Sequence, residues 1–179
     1  MKQGNIQALK DSIRDVPGFP KEGIIFKDIT TLLQDRKLFR SAVNMIADKY
    51  KGKKIDAVLS VEARGFIFGA AVAYKLGAGV IPIRKKGKLP HKTKSATYDL
   101  EYGQDTLEIH EDALSKGKSV LIVDDLLATG GTTKAVIELI DHLKGNIVGI
   151  AFLIELTALK GRDKLKGYPV FSLIKDKYC

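Results

Sequence analysis

The residues best suited to chemistry lie in one run, Val120-Leu-Ile-Val-Asp-Asp-Leu-Leu-Ala-Thr-Gly-Gly-Thr-Thr-Lys134. A β-branched stretch ends in two carboxylates, Asp124 and Asp125, and a glycine pair flanked by threonines follows. Glycines let backbone N–H groups approach an anion closely, a helix opening at this point supplies unpaired donors, and threonine hydroxyls add more. Ala128-Thr129-Gly130-Gly131-Thr132 is therefore suited to a phosphate monoester. Ionised carboxylates only accept hydrogen bonds, so a phosphate cradle beside Asp124 and Asp125 suits a phosphorylated sugar whose adjacent hydroxyls donate to them. The glycine spacing and the lysine position match neither the Walker A loop nor the dinucleotide-binding fingerprint. Taken alone, a strand-end Asp-Asp or a Thr-Gly cap is ordinary structure. The complete run, in this order, is what points to a ligand.

A second concentration of charge is Arg84-Lys-Lys-Gly-Lys-Leu-Pro-His-Lys-Thr-Lys94, where six of eleven residues are cationic. Like charges crowded in a loop repel one another unless an anion is present. Most of these lysines read as solvated, while Arg84, Lys85 and Lys88 are candidates for contact with a polyanion. Glu62 reads either as a plain loop carboxylate or, from its place beside Arg64, as a member of the site. His91, His110 and His142 lack metal-ligand spacing, and Phe66 and Phe68 read as core.

The elements that must position these groups follow from hydrophobic periodicity. A helix is expected at about residues 6–14, then an irregular arm, Asp15–Gly23, whose two prolines and two glycines argue against a regular element. A second helix runs from about Arg36 to Lys51, with Leu38, Val43, Ile46, Ala47 and Tyr50 near one face. A short strand, Ile55–Ser60, leads to a helix at Gly65–Leu76 that Gly77 closes, and a strand follows at Val80–Ile83. The second half repeats the order: strand Ser119–Val123, loop, helix Thr133–Leu143, strand Ile147–Leu153. Strand–loop–helix–strand, twice, predicts an α/β fold with a mainly parallel sheet and right-handed crossovers. In such sheets ligands bind beyond the carboxyl ends of the strands, where the glycine loop must lie. Between the halves, Ser95–Tyr102 and Asp105–His110 alternate like antiparallel strands around Gly103, an excursion from the sheet.

A chain of 179 residues with no linker or repeat is expected to form a single domain, 1–179. Residues 1–35 form its arm or hood, and residues 36–179 its core, with a flexible loop near 95–110. Cys179 is the only cysteine, so no intramolecular disulfide can form, which favours a reducing, cytoplasmic compartment. No stretch approaches a membrane span, and no N-terminal apolar segment is present, so no membrane partner is expected. The net charge of +9 argues for anionic partners without choosing among them.

Val123-Asp-Asp-Leu-Leu-Ala-Thr-Gly-Gly-Thr132 closely resembles the phosphoribosyl-pyrophosphate (PRPP) signature of type I phosphoribosyltransferases, in the form found in the adenine-specific branch. Asp15–Phe19 with Phe26–Ile29, Val61–Gly69, Ile83–Pro90, Tyr98–Gly103 and Glu155–Thr157 are also similar to that family, over roughly residues 10–175. The resemblance implies transfer of the 5-phosphoribosyl group from PRPP to N9 of adenine, giving AMP and pyrophosphate in purine salvage. It also implies the type I fold with an N-terminal hood and a mobile antiparallel excursion, a homodimer, and Mg²⁺ held by substrate and water rather than by protein ligands. By the same resemblance Asp124 and Asp125 would hold the ribose hydroxyls, and Ala128, Thr129, Gly130, Gly131 and Thr132 would wrap the 5-phosphate. Arg64 would contact pyrophosphate and lie near the base, with Arg84, Lys85 and Lys88 as further pyrophosphate contacts. Phe26 would stack on adenine while the Ile25 backbone reads its edge. Glu101 would be the acid/base residue, with Tyr102 closing over the site and the Tyr98–Asp105 segment serving as a lid.

Two other readings remain beside this one. A hypoxanthine, guanine or xanthine enzyme would usually carry an aspartate where Leu127 stands. A regulator that senses PRPP while binding nucleic acid would use the basic surface, but it would be expected to add a helix-turn-helix or to lack Glu101. No specific nucleic acid is expected.

Overall fold

The computed structural model describes residues 2–99 and 104–177. The chain begins with helix α1 (Lys2–Asp11), strands β1 (Arg14–Pro17) and β2 (Ile25–Asp28), and helices α2 (Thr30–Gln34) and α3 (Arg36–Asp48). Then come β3 (Ala57–Val61), α4 (Gly65–Leu76), β4 (Gly79–Lys85), β5 (Thr93–Asp99) and β6 (Gln104–His110). The last part is β7 (Ser119–Leu127), α5 (Gly131–His142), β8 (Asn146–Leu156), two 3-10 turns (Thr157–Leu159 and Gly161–Leu165) and β9 (Val170–Asp176).

Seven strands form one sheet in the order β5-β6-β4-β3-β7-β8-β9. The pairs from β4 through β3, β7 and β8 to β9 are all parallel, and β6 joins antiparallel to β4 and β5. The central strand β7 shows how the middle of the sheet is covered on both faces. Leu121 and Val123 pack with Leu32, Ile46, Phe68 and Val72 under α2, α3 and α4. Val120 and Ile122 point the other way, onto Val136, Leu139 and Ile140 of α5. A strand apolar at successive positions needs cover of this kind. Local signals fix the helix ends. The Asp35 carboxylate accepts from the Lys37 and Leu38 N–H groups at 2.8 and 3.0 Å and so starts α3, while Gly77, at φ +68°, closes α4.

Several elements differ from the sequence expectation. The arm contains regular structure, because β1 and β2 pair antiparallel with Val16 opposite Phe26, and Gly18 and Gly23 lie in the connection between them at positive φ. Strand β7 continues past Val123 through Leu127, pairing with β8 as far as Leu127 opposite Glu155. Asp124 and Asp125 thus lie within a strand rather than in a loop. The β5–β6 pair does not leave the sheet but extends it, through Arg84 opposite Glu108 and Lys85 opposite Leu107. Helix α1 lies a turn earlier than expected, and α2 and β9 complete the architecture.

Candidate active site

The glycine loop sits where β7 hands over to α5. Gly130 takes φ +79°, a conformation that glycine adopts without strain, and α5 opens at Gly131. Arg64 and residues 124–133 line a cavity of about 170 Å³ at this junction. A larger hollow of about 680 Å³, lined by Arg36, Lys37, Arg40, Ser41 and Asn44 of α3, shares no residue with it. Volume alone would choose that hollow, but chemistry chooses the smaller cavity, which joins carboxylates, a guanidinium and a helix N-terminus.

Asp124 and Asp125 project from consecutive positions of β7, and the Asp125 N–H donates to Asp124 Oδ1 at 2.9 Å. Burial raises the Asp124 carboxyl well above the usual carboxylate range, and the neighbouring Asp125 charge adds to this. Burial also raises Asp125, against the opposing charge of Arg64. Arg64 Nη2 lies 2.7 Å from Asp125 Oδ2. That approach is a charge contact without hydrogen-bond alignment, so Asp125 Oδ2 is buried with no hydrogen-bond donor among the described residues. Gly65 opens α4 directly against this pair, and a Cβ there would lie 2.4 Å from Asp124 Oδ1.

Arg64 ties the arm to the carboxylates. Its Nη1 donates to the Lys27 carbonyl at 3.3 Å, and its guanidinium carbon stands 4.8 Å from the centre of the Phe26 ring. The Phe19 ring meets Phe26 edge-on at 5.1 Å. Gly18 N–H donates to the Ile24 carbonyl at 2.8 Å. Antiparallel ladders alternate bonded and non-bonded pairs, so the backbone groups of Ile25 and Lys27 point away from β1. The Lys27 carbonyl is the one Arg64 uses, which puts the Ile25 peptide edge on the same side. The arm itself is held by Lys27, whose buried ammonium reaches Asp15 and Asp176, each at 2.8 Å.

The basic run is tied down by carboxylates. Glu62 accepts from Arg84 Nε and Nη2 at 3.1 and 2.9 Å and from the Lys85 N–H at 2.6 Å. Burial would raise the Glu62 carboxyl, but these donors hold it below the usual glutamate value. Lys85 Nζ pairs with Asp105 at 3.0 Å. Lys88 has no carboxylate partner among the described residues, and its carbonyl accepts from Arg84 Nη1 at 3.1 Å. Across the site, Tyr98 of β5 stands beside the start of α5, and burial raises its phenol. Glu101 and Tyr102 lie outside the described residues.

The structure thus gathers Arg64, Asp124, Asp125 and residues 128–132 around one cavity and brings Phe26 and the Ile25 edge to it through Arg64. Arg84 and Lys85 form a separate group on Glu62 and Asp105. Of the two phenylalanines read as core, Phe68 is fully buried, its ring meeting Phe39 at 5.6 Å, whereas Phe66 is half-buried and belongs to neither core cluster. Sequence reasoning missed Lys27 and Gly65, and it named Tyr98 and Asp105 only as the ends of a lid segment.

A profile of the phosphoribosyl transferase domain matches residues 28–178 of the chain. An adenine phosphoribosyltransferase of Clostridium kluyveri is 62% identical over 167 residues, which is 93% of this chain and 97% of that protein. The structure of adenine phosphoribosyltransferase from Thermoanaerobacter pseudethanolicus matches with a TM-score of 0.93 at 53% identity, covering 96% of this chain and 99% of that one. The Saccharomyces cerevisiae enzyme, complexed with adenine and an imino-altritol bisphosphate, matches with a TM-score of 0.90 at 40% identity, covering 96% of this chain and 99% of that one.

Proposed function

Since the chain belongs to the phosphoribosyl transferase family, we infer that it catalyses adenine phosphoribosyl transfer, the purine-salvage reaction of its relatives. The 5-phosphoribosyl group passes from PRPP to N9 of adenine. The bond from the anomeric carbon to pyrophosphate breaks with its electron pair, the bond to N9 forms, and the N9 proton leaves.

One observation carries the assignment of the sugar site. Asp125 Oδ2 is buried at the mouth of the glycine cradle, charge-paired to Arg64 but lacking a hydrogen-bond donor among the described residues. An unmet buried acceptor is costly, and a ribose hydroxyl supplies the missing donor. Asp124 takes the adjacent hydroxyl. The N–H groups and hydroxyls of residues 128–132 hold the 5-phosphate at the start of α5. The base lies by the arm, with Phe26 offering a ring face and the Ile25 peptide its edge. Arg64, between base and diol, turns to the departing pyrophosphate. Arg84, Lys85 and Lys88 add positive charge there once Glu62 and Asp105 share it. Glu101, assigned from the family resemblance, takes the N9 proton, and Tyr102 closes over the site.

No cluster of three His, Cys, Asp or Glu side chains suited to a metal occurs among the described residues. Two carboxylates beside the cradle fit hydroxyls and metal-bound water, so Mg²⁺ is assigned to the substrate's own oxygens. When bound, the ion neutralises charge on the leaving pyrophosphate. A homodimer is inferred from exposed apolar side chains on α4 and β4. Tyr74 is 89% exposed, Ile67 42% and Val80 45%. No helix of the described residues is long and apolar enough to cross a membrane. The lone cysteine favours a reducing cytoplasm.

The test is product formation from PRPP and Mg²⁺ with adenine, hypoxanthine, guanine and xanthine in parallel. AMP from adenine alone is the expected result. Tight binding of PRPP without AMP would replace the enzyme with a metabolite sensor.

A further inference from the structure

The glycine cradle has a back wall that belongs to neither β7 nor α5. After β8 the chain makes a 3-10 turn, passes Lys160 at φ +52°, and brings Gly161 against the cradle. A Cβ on Gly161 would lie 2.0 Å from the Ala128 carbonyl oxygen and 2.9 Å from the Gly130 nitrogen. The contact is reciprocal, because a Cβ on Gly130 would lie 2.5 Å from the Gly161 carbonyl oxygen. Backbone lies on backbone here, and no flexible side chain is available to yield.

Gly161 is itself anchored by the residue after it. The Arg162 guanidinium grips both oxygens of Glu155, with Nε donating to Oε1 at 2.9 Å. Its remaining donors reach the Val170 carbonyl at 2.9 Å and Ser172 Oγ at 3.1 Å. Glu155 is 5% exposed at the end of β8, beside Leu127 of β7. A planar fork on a buried carboxylate fixes orientation as well as distance. The turn therefore cannot drift from the sheet end that carries the cradle.

We propose that Gly161, held by the Arg162–Glu155 fork, is a positioning residue for the 5-phosphate loop, setting where the N–H groups of residues 128–132 stand. The proposal rests on the reading of that loop as the phosphoribosyl 5-phosphate site. An alanine at position 161 forces the two backbones apart by about 1 Å, and displacements of that size cost up to about a hundredfold in positioned chemistry.

The test uses binding, so it does not depend on turnover. Ribose 5-phosphate and pyrophosphate are titrated calorimetrically into wild type, Gly161→Ala and Arg162→Lys, with melting temperatures recorded for each. Ribose 5-phosphate should bind Gly161→Ala about tenfold or more weakly, while pyrophosphate changes less than about twofold. Arg162→Lys keeps the charge, loses the fork, and should show a smaller loss of the same selectivity. If Gly161→Ala fails to fold, the selectivity of Arg162→Lys decides. Equal weakening of both ligands, or none, overturns the proposal, as does a wild type that does not bind ribose 5-phosphate. Wild type that binds both ligands but forms no AMP would instead count against the catalytic reading.

Discussion

Asp124 and Asp125 place two carboxyl groups where one negative charge is already hard to hold. A carboxyl raised in the folded state binds its proton more tightly there than in the unfolded chain. Its ionisation therefore costs nothing below the unfolded pKa of about 4, and the cost grows as pH rises through the raised folded value. At neutral pH the pair weakens the fold, and the compensation we propose is a sugar site ready to accept two hydroxyls. Asp124→Asn keeps an oxygen for the Asp125 N–H and removes one charge. It is expected to melt higher than wild type at pH 7, with the difference closing below about pH 4. Its kcat/KM for PRPP should fall about tenfold or more, because an acceptor for a substrate hydroxyl loses its charge. Melting curves across that pH range check the first part, and a variant less stable than wild type at pH 7 would remove the electrostatic account.

The arm shows the same dependence one scale up. Strands β1 and β2 are four residues each, too short to stand alone. Lys27 supplies what is missing by reaching from β2 to Asp176 at the end of the edge strand β9. Burial would lower its pKa, but Asp15 and Asp176 outweigh that and raise it. A raised lysine contributes its full stability at neutral pH and loses it only as pH climbs through the folded value, above 10.5. Lys27→Met should destabilise by about 2–3 kcal/mol, less than for an isolated buried pair because Lys10 stays on Asp176 at 3.3 Å. The melting temperature should drop roughly 4–12 °C. The KM for adenine should rise as Phe26 and Ile25 loosen, and an unchanged melting point and KM would show the arm to be held by other contacts. None of this was legible locally, since Lys27 and Asp176 stand at opposite ends of the chain. Helix α4 was legible to the residue, because an unbroken apolar run and Gly77 fix it within its own sequence. Strand β7 was legible only to Val123. Its continuation depends on pairing with β8, and two carboxylates look locally like a strand end. The prolines that hid β1 are tolerated because Pro17 stands in a non-bonded position and needs no N–H partner. The cradle was legible because its residues are chain neighbours, whereas its back wall at Gly161 was not.

At the scale of the whole molecule, the covered and uncovered faces can be compared. The central strands β3, β7 and β8 are buried along most of their length, yet Ile67 and Tyr74, seven residues apart on α4, remain exposed, as does Val80 at the start of β4. Seven residues is close to two helical turns, so the two α4 side chains share a face. That face lies on the helix whose N-terminus carries Gly65 against Asp124, so whatever covers it also steadies the helix that positions Arg64. A second copy of the chain is the occupant inferred above, and the charge balance agrees with an apolar contact. With 30 cationic and 21 acidic residues, two copies repel at long range and must be held at short range by surface that carries no charge. Tyr74→Glu puts a carboxylate into that surface at a position 89% exposed in the single chain, where folding of the chain itself should be indifferent. Wild type should sediment at about twice 19.6 kDa and Tyr74→Glu at 19.6 kDa, with matching circular dichroism. Raising the salt concentration should strengthen the wild-type association, since screening removes the repulsion and leaves the apolar contact. A wild type that sediments as a single chain, or a Tyr74→Glu variant that still pairs, would move the interface away from α4.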